Sequence, residues 1–182
     1  MRAFSIALWL AALAWPAFPQ QFSPAENLAP QIPTPQSLVE QMLAAARVKP
    51  GEMVYDLGSG DGRVLITAAQ KFGARAVGIE LDADLCRKAE KRIRELGLED
   101  RVKVLHASIL RTDLSSADVV TMALLTESNE RMRPRLEKDL KPGARVVSSE
   151  FPIKGWKPVQ VMRTRIGSME HILYLYEMSR NK

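Results

Sequence analysis

Cysteine is nearly absent. One residue, Cys86, stands among 182, which excludes an internal disulfide and any cysteine-based zinc cluster. Histidine is almost as scarce: His106 and His171 lie far apart in the chain, so no metal centre is expected. An excess of one charge is missing too. Lys and Arg number 26, Asp and Glu 21, for a net charge of +5. The bases are interleaved with acids, as in Arg87-Lys88-Ala89-Glu90-Lys91-Arg92, the pattern of a solvated helix face rather than of a nucleic-acid patch. There is also no uninterrupted apolar run of about 20 residues, the length of a membrane span. What remains is ordinary for a globular chain, 46% hydrophobic and 26% charged, with room for one domain.

Residues 1–20 stand apart. They hold one charge, Arg2, and no acid, with an apolar run over 3–13 followed by Pro16 and Pro19. A basic start, an apolar middle and small residues at Ala12-Leu13-Ala14 match a secretory signal peptide; an uncleaved anchor or an organelle-targeting leader has the same ingredients. Residues 21–35 are rich in Pro and Gln, with Pro24, Pro30, Pro33 and Pro35, and read as an extended linker. Residues 36–182 then form the domain.

Within it, helix and strand alternate. Apolar spacing predicts helices over 37–47, 64–72, 84–96 and 127–140, with Pro134 bending the last or shifting its start. Short apolar runs over 53–57, 76–79, 102–105, 117–125 and 144–147 read as strands, the fourth nearly all apolar as a central parallel strand should be. Two late strands, 159–165 and 171–178, flank the turn signal Gly167-Ser168. Such alternation gives a parallel α/β sheet with right-handed crossovers and a closing antiparallel hairpin. Ligands of such sheets bind beyond the carboxyl ends of the strands, near the switch in strand order.

The glycine turn after the first strand therefore carries the chemistry. It reads Asp56-Leu57-Gly58-Ser59-Gly60-Asp61-Gly62-Arg63. The dinucleotide fingerprint G-x-G-x-x-G fails, because Arg63 occupies the third glycine position, and no Gly-Lys-Ser/Thr follows to make a Walker loop. Glycines let the backbone approach a ligand, and the next helix offers free N–H groups to an anion as small as a carboxylate. Glu80, at the end of the second strand, can accept from the hydroxyls of a ribose. Asp56 is placed to accept from an ammonium or to brace the loop. A ligand with an amino-acid end and a ribose fits these parts, and S-adenosyl-L-methionine has both. The plainer alternative is a tight turn with a capping acid.

The chain resembles the class I S-adenosylmethionine-dependent methyltransferases, more narrowly the small archaeal protein-lysine methyltransferases of broad specificity. It is similar, less closely, to the mitochondrial lysine methyltransferases of the ATP synthase c-subunit and the adenine nucleotide carrier. The carrying residues are Pro33-Thr34-Pro35, 54–63, 76–80, 119–122 with Leu124-Leu125-Thr126, 136–143, 145–148, Glu150-Phe151, Gly155-Trp156 and Tyr174-Leu175-Tyr176. The resemblance implies a Rossmann-like α/β fold: a mostly parallel seven-stranded sheet, a C-terminal antiparallel hairpin, and helices on both faces. It implies that Asp56, Gly58 and Gly60 contact the methionine part of the cofactor and Glu80 the ribose. Thr34 covers the cofactor from the N-terminal side, and Tyr55, Ser59, Asp61 and Leu81 complete the set. Ser108 stands after the third strand, where many such enzymes place an acid against the adenine amino group.

The expected acceptor is a protein with exposed lysines. A lysine at its reference pKa of about 10.4 is protonated at neutral pH, so the enzyme must desolvate it or offer a proton acceptor. Glu150 is the candidate for that role, with Thr126 beside the acceptor and Trp156 as a lip of its slot. Their plainer readings are a loop-bonding acid, a helix cap and a packed anchor. His106 and His171 read as structural, and Cys86 as a small buried residue. The Asp/Asn-Pro-Pro-aromatic of adenine and glutamine methyltransferases is replaced by Ala123-Leu124-Leu125-Thr126. A small-molecule or lipid methyltransferase and a non-catalytic cofactor-binding module are the alternatives. A monomer is expected, without nucleic acid, with membrane association possible through the apolar N-terminus. Export or anchoring is suggested by that segment, whereas cofactor supply favours a cytosol-facing domain.

Overall fold

The computed structural model describes residues 22–29 and 33–179. The signal-like or anchor segment at 1–20 lies outside the described residues. Among the described residues no helix is long and apolar enough to cross a membrane.

Seven strands make one sheet: β1 (Met53–Leu57), β2 (Arg75–Glu80), β3 (Val102–His106), β4 (Val119–Met122), β5 (Arg145–Ser149), β6 (Gln160–Ile166) and β7 (Met169–Glu177). Their order is β3-β2-β1-β4-β5-β7-β6. The first five are mutually parallel, and β7 runs antiparallel to both β5 and β6. This is the Rossmann-like methyltransferase sheet that the resemblance implies. The order reverses between β1 and β4, so a crevice opens beyond their carboxyl ends.

Burial explains why these segments are strands. All four residues of β4 are buried, since helices cover both faces of a central parallel strand. On one face α1 (Gln36–Ala45) and α2 (Arg63–Phe72) pack Leu38, Met42, Leu43, Leu65 and Ala68 against Val54, Val119 and Val147, and Ile93 of α3 (Ala83–Glu95) joins them. On the other, Met132 and Leu136 of α4 (Thr126–Asp139) meet Leu57, Ile79, Val120 and Val146. Helix α3 starts where the Asp82 carboxylate accepts from the Asp84 and Leu85 N–H groups, a conventional N-cap. Helix α4 runs through Pro134 from Thr126. The proline does not shift the start, because burial of Met132 and Leu136 on either side of it offsets one lost backbone bond.

The linker expectation for 21–35 needs revision over 22–29. A short 3-10 helix, Pro24–Glu26, is followed by buried Leu28, which joins the α4-side core. This strap crosses the sheet's carboxyl edge. Arg131 donates to the Ala25 carbonyl at 2.5 Å, and Phe22 meets the His106 ring edge-on at 5.1 Å. One apolar side chain and a few polar ties hold a proline-rich segment that composition alone describes as a spacer.

Candidate functional site

A cleft of about 530 Å³ lies at the switch in strand order, within the range of small-ligand sites. Its floor is the glycine turn between β1 and α2. Gly58 (φ +80°), Gly60 (φ +54°) and Gly62 (φ +76°) all adopt left-handed backbone, which other residues reach only with strain. Two of them explain the shape of the cleft. A Cβ on Gly60 would meet nothing within 4 Å, so its absence leaves open space, whereas one on Gly58 would stand 2.6 Å from Ala29 Cβ of the strap.

Glu80 is buried at the end of β2 and organised by main chain. Oε2 accepts from the Gly60 N–H at 2.8 Å, and Oε1 from those of Leu81 and Asp82 at 2.8 and 2.9 Å. Three of roughly four acceptor positions of a carboxylate are filled. Oε2, with the Gly60 N–H alone, keeps one. Asp56 is buried as well. Its Oδ1 accepts from Thr121 Oγ1 at 2.6 Å, the residue opposite it on β4. Burial pushes the Asp56 carboxyl up to about 7, the Thr121 hydroxyl opposes the rise and the Glu80 charge adds to it.

Asp61 lines the cleft but is engaged elsewhere. Arg63 grips both its oxygens, Nε to Oδ1 and Nη2 to Oδ2, each at 2.9 Å, and Arg92 adds an ion pair at 3.0 Å. The Arg63 hydrogen bond is the first cause holding the Asp61 carboxyl below its ordinary value. The same guanidinium donates from Nη1 to the Thr34 carbonyl at 2.8 Å. Arg63, which breaks the dinucleotide fingerprint, thus ties Pro33-Thr34 to the glycine turn, so that both residues line the cleft.

Of the residues expected around the cofactor, Thr34, Asp56, Gly58, Ser59, Gly60, Asp61, Glu80 and Leu81 line this cleft. Tyr55 and Ser108 do not. Tyr55 alternates to the α4 side of the sheet, where its hydroxyl pairs with Ser116 Oγ at 2.9 Å. Ser108 is buried between two lining residues, Ala107 and Ile109.

The acceptor residues separate. Ala123 brings the end of β4 to the cleft, and Thr126 opens α4, with Leu125 rather than Thr126 in the cap position. Glu150 follows β5 at φ +68°, a strained conformation for a non-glycine residue. Its Oε1 meets His171 Nδ1 at 2.6 Å, the imidazole being 11% exposed and the carboxylate 39%. Spacing could not show this pair: it arises because the Glu150 N–H bonds the Ile172 carbonyl of β7. Asn129, fully buried, donates to the Phe151 carbonyl at 3.0 Å and to Ser148 Oγ at 3.2 Å, bracing the loop from α4. Trp156 lies elsewhere. Its indole donates to Glu137 at 2.8 Å and packs edge-on against Tyr176, and it lines a shallow recess with Glu177 and Met178. Those residues end β7, paired with the beginning of β5, so the indole belongs to the opposite edge of the sheet. Its bulk fills a gap over the α4-side core, which corrects its assignment to the acceptor slot.

A parallel sheet with its crevice at the strand switch, a glycine turn and an acid at the end of β2 define a class I methyltransferase frame. Residues 56–160 match the model of the ANTKMT methyltransferase domain. A protein-lysine N-methyltransferase of Saccharolobus islandicus is 46% identical over 154 residues, covering 84% of this chain and 96% of that protein. The mouse adenine nucleotide translocase lysine N-methyltransferase is 35% identical over 124 residues, and the match spans 68% of this chain but 54% of the mouse protein. Among solved structures, a Salinibacter ruber RNA methyltransferase in complex with S-adenosyl-L-homocysteine superposes with a TM-score of 0.77 at 39% identity, over 83% of this chain and 96% of that one. The chain belongs to the ANTKMT methyltransferase family.

Proposed function

We propose that this protein is an S-adenosyl-L-methionine-dependent protein-lysine N-methyltransferase. The residues present fit the cofactor. Open space over Gly60 admits a ligand against the backbone, Asp56 offers an anion to an ammonium, and Glu80 Oε2 has an acceptor position for a ribose hydroxyl. When bound, the cofactor supplies an electrophilic methyl on a sulfonium; the amine lone pair takes the carbon and the bonding pair stays with sulfur.

The observation that carries the lysine reading is the Glu150–His171 pair. Leu125 and Phe151, 45% and 37% exposed, give apolar surface to the loops that follow β4 and β5. A lysine brings an apolar stem and a cation, which suits that surface and the half-exposed Glu150 carboxylate. Nδ1–H of His171 donates to Oε1 and so fixes where the carboxylate points. Glu150 then orients the ammonium and receives the proton that must leave before nitrogen attacks. The archaeal relative supports this acceptor.

An RNA acceptor is the second reading, favoured by the Salinibacter ruber relative. One experiment separates them. The full chain is incubated with methyl-labelled cofactor and a mixed extract, treated afterwards with either ribonuclease or protease. Label that survives ribonuclease, is recovered as methyl-lysine by mass spectrometry and vanishes in Glu80→Ala is the expected result. Label lost with ribonuclease would replace the acceptor by RNA.

A further inference from the structure

The edge of the sheet next to the Glu150–His171 pair is open. Among the described residues β6 has β7 as its only neighbour, so alternate N–H and C=O groups of its seven residues face outward, a template for another strand. Sheet edges are usually blunted by shortness, lysine, proline or a covering segment. The opposite edge, β3, follows that rule: it is five residues long, carries Lys103, and meets Phe22 at His106. β6 does not, for it reads Gln-Val-Met-Arg-Thr-Arg-Ile. Both β5 and β6 run antiparallel to β7. β6 therefore ends on the carboxyl edge of the sheet, and Thr164 lies opposite His171.

The two faces of β6 differ. Met162 and Ile166 are partly buried against the core under α1 and α2. Val161, Arg163 and Arg165 alternate with them and are exposed. Glu170 pairs with Arg163 at 3.5 Å, which leaves Arg165 without an ion pair among the described residues. A second copy of this chain fits such an edge poorly. Two β6 strands paired antiparallel about Thr164 set Arg163 against Arg165, and like charges directly opposite are unfavourable. A strand that alternates acidic and aliphatic residues fits both faces, its acids on the arginines and its aliphatic side chains beside Met162 and Ile166.

We propose that the free edge of β6 takes up an extended segment of the acceptor protein, alternately acidic and aliphatic, as an eighth strand, and so recruits the substrate whose lysine reaches Glu150. This rests on the protein-lysine reading. The segment lies four strand spacings from β4, about 19 Å at about 4.8 Å each. The target lysine therefore stands at least about six extended residues away from the docked segment. The test uses the full chain and a fluorescent peptide of about ten residues, alternating Glu and Val, read by anisotropy. Wild type should bind it at least about tenfold more tightly than a Lys/Val counterpart, and the double variant Arg163→Glu, Arg165→Glu should reverse that preference, because two cross-strand pairs change sign. N-methylation of every Val or of every Glu should abolish binding in one isomer only, since alternate N–H groups of an added strand face its neighbour.

Equal binding of the Glu and Lys peptides by wild type overturns the proposal, as does equal behaviour of the two N-methyl isomers, and neither needs a variant to fold. A wild-type dimer in sedimentation that the peptide dissociates gives the edge to a second copy and overturns it too. So does binding of a fluorescent oligouridylate with none of the peptide, which gives the edge to RNA. With a lysine added behind a flexible spacer of about eight residues, KM should fall about tenfold at unchanged kcat relative to spacer and lysine alone; a spacer of about two residues should bring no gain. Absence of methyl-lysine from every peptide, with anisotropy still reporting a docked strand, would overturn the lysine reading itself, and with it the assignment of this strand to an acceptor.

Discussion

The two halves of the carboxyl edge are built on different principles. Beyond β1 and β2, the acid is held by main chain: three backbone N–H groups converge on Glu80. Beyond β5, beside the start of β7, the acid is held by one side chain, His171, and sits on a strained backbone. Amides of a packed turn cannot be exchanged by mutation, whereas a side-chain partner can. The first half is thus suited to a fixed ligand and the second to an acceptor whose requirements differ among relatives.

The largest effect should come from the main-chain half. Glu80→Ala leaves the N–H groups of Gly60, Leu81 and Asp82 without their acceptor and removes the proposed ribose contact. Cofactor affinity should fall by at least about 100-fold, because each buried donor left unpaired costs about 1–3 kcal/mol. Calorimetry measures this directly, and a loss under tenfold would end the idea that main chain organises the ligand here.

The side-chain half should respond the other way. Glu150→Gln removes the proposed proton acceptor but keeps the size. Transfer should slow by about 100-fold, the usual weight of a positioned base, while cofactor affinity stays within about twofold of wild type in the same protein. Glu150→Gly sharpens the contrast. Glycine relieves the φ +68° strain, worth about 1 kcal/mol or more, against a lost His171 partner of similar weight. A folded, cofactor-binding protein that does not methylate is expected. Unchanged turnover in both variants would return Glu150 to the role of a loop-bonding acid.

This contrast also decides what could be read from the chain. Glu80 was legible because its partners, Gly60, Leu81 and Asp82, lie in the turn and at the strand end that name the motif. The Glu150–His171 pair was not, since it depends on the register of β7 against β5, and nothing within either segment reports that register. The same holds for Trp156, whose side of the sheet follows from the loop after β5. Thr121 was within reach: Asp56 and Thr121 are opposite each other in β1 and β4, and a buried acid needs a donor. The strands and the helices were legible because apolar runs and the 3.6 periodicity are local.

A smaller effect tests the electrostatics of the main-chain half. Asp56 titrates near 7 in the folded protein because it is buried. Its value is raised relative to the unfolded chain, so its contribution to stability is present below about pH 4 and lost as pH rises through 7. A bound ammonium favours the ionised form, so cofactor affinity should climb about threefold to tenfold between pH 6 and 8. Asp56→Asn should flatten this profile and raise the melting temperature of the ligand-free protein at pH 8. An unaltered slope in Asp56→Asn would assign the pH dependence to another group.

The smallest expected effect concerns the one side chain on which the main-chain half relies. Arg63 holds two oxygens of Asp61 and the Thr34 carbonyl with a single planar group. Lysine keeps the charge but has no fork, so Arg63→Lys can serve Asp61 or Thr34 and not both. The glycine turn itself remains, as its amides still meet Glu80. What loosens is the cover at Pro33-Thr34. Affinity should therefore drop only about threefold to fivefold, and through faster dissociation rather than slower association, as is usual when contacts are lost at an otherwise intact site. Stopped-flow displacement of S-adenosylhomocysteine reads both rates. A drop as large as that of Glu80→Ala would mean that the turn, too, depends on a side chain, and the two halves of the edge would then differ in degree rather than in kind.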